Sequence, residues 1–365
     1  MIVVRIAVAL VGVLLVFITL FSALKTVVVP RAVQSLPTRI HFVMMRRFFL
    51  KLAPPSMDYE RRDKVLAFYA PLSLVTLPAM WVVLVIGGFT AIFWGSGVDP
   101  LAEAFATSGS SLLTLGFDRP KATGHVTLAF VEAAIGLGLV SLMISYLPTI
   151  YGAFSRREGL VGMLEVRAGL PPSPAELLSR YQRIKRLDRL DDDVFEPWEA
   201  WFMDVEESHT SHSSLVFFRS PHPERSWITA AGCVLDTAAL TASTLDRPHD
   251  ARCDVLLRTG YLTLRRIADS FGIAYDSNPQ PGDPISVSQR EFDLLCVELR
   301  AIDIPLKADL QQAWVDFAGW RVNYDKVLVA LCGMVVAPPG RWSSDRAEAV
   351  PMVPRIRKPS SGRHK

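Results

Sequence analysis

The sequence predicts an all-α membrane protein: three transmembrane helices, a short re-entrant helix between the second and third, and a cytosolic all-helical domain behind them. Three observations carry this. Half of the 365 residues are hydrophobic and only 21% are charged, with a mean hydropathy of +0.27, above what a water-soluble chain of this size carries. The excess lies almost entirely before about residue 154. The remainder shows apolar residues at helical spacing, as an ordinary globular domain does. A net charge of +3, with no basic cluster interleaved with stacking aromatics, speaks against a nucleic-acid partner.

Ile6 to Leu24 carries no charge, which is enough for one helix across a hydrocarbon core of ~30 Å. The second apolar run, Val65 to Trp94, would be roughly 45 Å long as a helix, with Pro71 and Pro78 kinking its first turns. The third, Val126 to Phe154, contains Glu132 near its start and Pro148 near its end. Orientation follows the basic residues. Lys25, Arg31, Arg39, Arg46, Arg47, Lys51, Arg61, Arg62 and Lys64 sit between spans one and two, against Asp58, Glu60 and Asp63. That loop is expected inside, the N-terminus and residues 96–125 outside, and everything after Phe154 in the cytoplasm, where Arg156 and Arg157 agree. A multi-pass protein of the plasma (inner) membrane results. A cleaved signal peptide fits the first span less well, because its apolar run is longer than the usual h-region and no clear small-x-small site follows. His41 to Leu52, mixing Phe42, Met44, Met45, Phe48 and Phe49 with Arg46, Arg47 and Lys51, suits a helix on the inner membrane surface with its arginines at anionic headgroups. It equally suits a helix packed on the C-terminal domain. The expected organisation is an anchor at 1–25, a basic loop at 26–64, a membrane module at 65–155, a helical domain at 156–340 and a disordered basic tail at 341–365.

Between spans two and three, Asp99-Pro100 opens a helix over Leu101 to Leu113. An aspartate cap followed by proline is a helix-start signal, and this run is too short and polar to cross a bilayer. Thr114-Leu115-Gly116-Phe117-Asp118 follows at once. An outer helix, a short re-entrant helix, a Thr-x-Gly-aromatic segment and an inner helix, over roughly residues 65–155, resemble the pore module of potassium channels. The resemblance implies that Thr114, Leu115, Gly116 and Phe117 line a selectivity filter, with Ser108, Ser111 and Leu112 on the pore helix. It also implies that potassium or another monovalent cation is the ion, and that a homotetramer builds the pore, since each chain has one such segment. The physical logic stands beside the name. Non-helical backbone at membrane depth is tolerated where it is buried or lines a water-filled path, and its carbonyls can replace an ion's hydration shell. Glycine supplies backbone angles closed to other residues, and the C-terminus of a short helix favours cations. The family's second filter glycine is absent: Asp118 stands in its place, or a residue is deleted and Asp118 is the acid that usually follows it; either way, four copies would place a carboxylate ring at the outer mouth. The plain alternative is an ordinary extracellular turn.

In the third span, Gly136 and Gly138 suit either a gating bend or close helix packing. Ser141 and Ser145 share a face, and Glu132 either snorkels to the interface or pairs behind the filter. The first span has no arginine series and is no voltage sensor of the usual kind.

The second half offers no chemistry of its own. No G-x-G-x-x-G after a strand and no P-loop appear. His209 and His212, with Glu206 one turn before, have the spacing of a metal pair, but nothing completes a site, and surface histidines are expected. Asp191-Asp192-Asp193 is expected as a solvated helix start. Cys233, Cys253, Cys296 and Cys332 lack metal-type spacing and are expected as reduced, buried thiols. Stripes such as Trp198, Trp201, Phe202 and Val205 read as core. Trp227 to Leu245 and Val327 to Ala337 read as buried helices rather than spans. No cofactor, metal or enzyme activity is expected. The expectation is a cation-channel subunit; a non-conducting membrane-anchored scaffold is the alternative, and a tethered enzyme comes third.

Overall fold

The computed structural model describes residues 1–29 and 35–347. Arg31 of the basic loop and the tail from residue 348 lie outside the described residues. Among the described residues the chain is helical, with no β-strand beyond one isolated antiparallel bridge between Leu245 and Leu306. Three helices are long and apolar enough to cross a membrane: α1 (Ile2–Val27), the stretch Tyr59–Gly95 and α6 (Thr123–Ala168). The chain divides into two compact units, Met1–Phe48 with Phe68–Gly152, and Phe49–Ala67 with Ala153 onward.

In the first unit α1 packs along α4 (Tyr69–Gly95). The crossing is close because Gly12 and Gly88 face each other: a Cβ on Gly88 would come 2.6 Å from Val16 Cγ2 and 3.0 Å from the Gly12 carbonyl oxygen. Small residues that let two backbones approach are what joins helices where lipid removes the hydrophobic drive. Trp81, Val85, Phe89 and Phe93 fill the interior beside them. α2 (Leu36–Leu52) is tied to α1 by hydroxyls, with Ser22 Oγ 3.0 Å from Thr38 Oγ1. It is tied to α4 by His41 Nε2, 2.9 Å from the Ser73 carbonyl. Arg46 is therefore not a headgroup ligand. It is buried, its guanidinium 5.8 Å from the centroid of the Tyr69 ring. Arg47 and Lys51 stay exposed beside Leu36, Ile40, Met44, Phe48 and Leu52, which repeat every fourth residue on the open face.

The second unit is built around α9 (Trp227–Ser243), buried on all sides, which is what an all-round apolar helix requires. Packed on it are α7 (Pro174–Arg183), α10 (Ala251–Phe271), α12 (Leu310–Arg321) and α13 (Asp325–Val335). α8 (Glu196–Ser211) packs along α10, its Trp198, Trp201, Phe202 and Val205 buried as the spacing predicts. α11 (Gln289–Arg300) starts with a capping box between Ser288 and Glu291. Asp236 sits inside the apolar α9 because Arg321 pairs with it, Tyr324 Oη donates to it at 2.8 Å, and Arg321 Nε also reaches Asp325 at 2.8 Å. α3 (Tyr59–Ala67) belongs to this unit rather than to one basic loop: Arg219 Nη1 lies 2.5 Å from Asp63 Oδ1, and Tyr59 Oη donates to the Pro223 carbonyl at 3.1 Å.

Four further expectations need correction. The third apolar helix runs on fourteen residues past Phe154 to Ala168, through Pro148. Residues 341–347 are ordered, because Trp342 is buried and its carbonyl accepts from Arg321. The aspartate run is no solvated helix start. It forms a π-helical turn, Asp191–Phe195, in which Asp191 is buried against Arg247, Asp192 pairs with Arg252, and Asp193 lies 3.3 Å from Arg186. His209 is no surface histidine; it is fully buried.

Candidate functional site

α5 (Leu101–Leu112) is the short helix that the sequence places between spans two and three. Its N-cap is Pro100, with no side-chain cap. Asp99 instead faces Arg5 of α1, Arg5 Nη2 lying 2.9 and 2.7 Å from the two carboxylate oxygens. Ala104, Thr107, Ser108, Ser110 and Leu112 are buried, while Leu101 and Phe105 are open. Ser108 is the meeting point of three helices. Its Oγ is 2.5 Å from Glu132 Oε1 on α6 and 3.2 Å from the Ile86 carbonyl on α4. Glu132 is thus wholly buried behind α5 rather than snorkelling, and its Oε2 has no hydrogen-bond partner among the described residues.

After Leu112 the backbone reverses. The Leu115 N–H donates to the Ser110 carbonyl at 2.9 Å and the Thr114 N–H to the Ser111 carbonyl at 3.1 Å. This is the Schellman pattern that satisfies the last carbonyls of a helix. Thr114 holds the left-handed position with φ 54°, usually given to glycine because another residue there costs about 1–2 kcal/mol. Gly116 follows with φ 72° and open space around it. Leu115 and Phe117 are 61% and 67% exposed, so no part of the described chain covers this turn. Asp118 does not project freely. Its carboxylate accepts from Thr107 Oγ1, and its N–H donates to Ser110 Oγ at 3.1 Å, which folds the segment back onto α5.

The two inner-helix glycines have different surroundings. A Cβ on Gly136 would collide with the Leu112 carbonyl oxygen and meet Leu112 Cδ1 at 3.2 Å, so Gly136 is a packing residue that lets α6 pass the end of α5. Gly138 has nothing within 4 Å. It lies on an open face with Ser141, Ser145 and Thr149. Each of those hydroxyls donates to the carbonyl four residues back, at 2.9, 2.8 and 3.0 Å, an arrangement that places a hydroxyl in an apolar setting without an unmet donor.

The other candidates resolve as core. All five N–H groups of buried Arg157 have acceptors: Glu158 takes from Nε and Nη2 at 2.9 and 2.8 Å, the carbonyls of Leu215 and Phe218 accept at 2.8 and 2.7 Å, and His209 Nε2 lies 3.1 Å from Nη1. A guanidinium only donates, so His209 Nε2 is the acceptor and the ring is neutral. Burial, then the Arg157 charge, push its pKa well below the ordinary value. The nitrogen that would bind a metal is occupied, and no cluster of metal-ligating side chains occurs among the described residues. The four cysteines are buried and free; burial raises each thiol, Cys296 to about 11.

Thr107, Ser110 and Thr149 were not singled out by sequence. The signal for the first two is the hydroxyl-rich run Thr107 to Ser111 followed by an acid; for Thr149 it is the four-residue step that continues Ser141 and Ser145. No family model matches the chain, and no curated protein or solved structure matches it either.

Proposed function

We propose that this chain is one subunit of a cation channel, with potassium or another monovalent cation as the ion and four copies around the pore. The observation that carries the reading is α5 itself. It is a twelve-residue helix, too short to span, set between two helices that are long enough, and it ends in an uncovered turn with left-handed Thr114 and Gly116. A protein does not leave irregular backbone in lipid unless water or more protein meets it. Thr114, Leu115, Gly116 and Phe117 form the ion-contacting turn in this reading. Asp118 contributes negative charge from its tethered position at the mouth, and the open row Gly138, Ser141, Ser145 and Thr149 lines the path below. In this reading α5 is the re-entrant pore helix, the membrane is the plasma membrane with the N-terminus outside, and the second unit is a cytosolic domain acting on the gate.

Reconstitution of the full chain into liposomes tests this. A cation flux is expected that is lost in Gly116→Asp and Thr114→Ala; flux indifferent to both changes rejects the assignment. Native mass in detergent is expected at four times the 40.4 kDa chain, whereas a stable monomer favours a non-conducting anchored scaffold.

A further inference from the structure

An open groove of about 580 Å³ lies in the second unit, walled by the last turn of α6, by α7 and by the turn at Asp193. That volume is in the range of sites for drug-sized ligands. Its lining is unusual in charge. Arg167, Arg180, Arg183 and Arg186 face it against only Glu176 and Asp193. Arg180 is held in place: its Nε is 2.5 Å from Glu176 Oε1, and its Nη1 donates to the Val166 carbonyl, joining α7 to the end of α6. Arg183 shares the same carboxylate oxygen at 3.1 Å yet keeps 63% of its side chain exposed. Arg186 reaches Asp193 at 3.3 Å and is 51% exposed. Arg167 makes no hydrogen bond or ion pair among the described residues. Two positive charges thus remain uncompensated on one concave surface. Apolar area lies beside them, since Val166 and Ile184 are 74% and 60% exposed and the Tyr181 ring forms part of the wall.

We infer that this groove binds a phosphorylated, ring-bearing anion. Guanidinium forks match phosphate oxygens in pairs, and a phosphate carrying between one and two charges meets the excess that Glu176 and Asp193 leave. Arg167 and Arg183 grip the phosphates, Arg180 is the fixed floor, and the ring lies on Val166, Tyr181 and Ile184. The phosphate can belong to a soluble nucleotide or to a phosphorylated lipid headgroup; the recognition chemistry is the same. This inference is independent of the pore reading.

Full-length protein in a non-ionic detergent is titrated with ATP, with sodium pyrophosphate and with a short-chain, water-soluble phosphoinositide, reading binding by calorimetry. Saturable binding that weakens with salt is expected for at least one probe, and ATP above pyrophosphate assigns the ring to the apolar wall. Binding of the phosphoinositide alone supports the same site with a lipid source. Arg167→Glu and Arg183→Glu are each expected to weaken binding about tenfold or more. Arg258→Glu, an exposed arginine that does not line the groove, is expected to leave it unchanged. Should Arg167→Glu fail to fold, Arg183→Glu alone decides, because its side chain is largely in solvent. No saturable binding of any probe, or binding indifferent to Arg183→Glu, overturns the inference.

Discussion

Alanine at positions 136 and 138 should act in opposite directions although the two glycines are two residues apart on one helix. At Gly136 the added methyl falls far inside van der Waals contact with the Leu112 carbonyl oxygen, with the carbonyl carbon at 3.1 Å and Cδ1 at 3.2 Å. The obstacle is mostly backbone, so no rotamer change removes it, and the end of α5 must move by about an ångström to restore ordinary contact. Overpacking of this kind costs about 1–3 kcal/mol, and the better helix propensity of alanine returns about 1 kcal/mol at most. Gly138 has nothing within 4 Å, so only the propensity gain applies. The two variants should therefore differ by roughly 1–3 kcal/mol. Unfolding of full-length protein in mixed micelles measures the difference. Because the exposed turn begins beside Leu112, Gly136→Ala should also displace it and abolish any reconstituted flux, while a change of flux in Gly138→Ala without loss of stability would assign that residue to the open path or a bend. Equal stability of the two variants refutes the packing argument.

The ion network beneath α9 gives a larger effect. Arg321→Met leaves Asp236 and Asp325 buried without their cation, and removal of one partner of a buried pair costs about 3–5 kcal/mol. Denaturant unfolding of the second unit's tryptophan signal checks this, and a loss under 1 kcal/mol would show that the pair is not desolvated in solution. A second prediction concerns acid. Asp250 caps α10, accepting from the Arg252 side chain and N–H, and these bonds hold its pKa down to about 2. A lowered folded value means that the cap contributes fully above the unfolded carboxylate pKa, about 4, and is lost as pH falls through 2. Asp250→Asn keeps an oxygen acceptor and should flatten the melting temperature between pH 4 and 2; an unchanged slope would place the titration elsewhere.

Much of the fold was legible because the signals are local. α5 starts at Leu101 and ends one residue short of the expected boundary, and α9 is buried as its length and polar content suggest. What sequence could not supply was partner choice. Asp99 reads as a helix cap, since aspartate before proline usually is one, but an arginine ninety-four residues away, with one nitrogen reaching both oxygens, competes for the same carboxylate. Arg46 reads as a surface cation in a basic run, yet Tyr69 offers a ring at the right height. His209 has metal spacing to His212, and only the folded chain puts Arg157 on its free nitrogen. The aspartate triplet likewise looks solvated until Arg247 and Arg252, fifty-six and sixty residues on from their partners, close over it. Within the candidate site, Gly116 was legible through its need for a positive φ. The left-handed Thr114 was not, because threonine is a poor choice there on local grounds.

That poor choice, together with Ser108, says how the turn is held. A Schellman end normally relies on glycine, so the strain at Thr114 must be offset by contacts that fix α5 from behind. Among the described residues Ser108 is the only hydroxyl with acceptors on both flanking helices, 2.5 Å from Glu132 and 3.2 Å from the Ile86 carbonyl. One hydroxyl has one proton to give. The serine proton serves one of these two acceptors at a time, Glu132 on α6 or the Ile86 carbonyl on α4. Either way the hydroxyl ties α5 to a flanking helix. The position of the exposed turn is then set by the same three helices that a bilayer would hold, rather than by the loop itself.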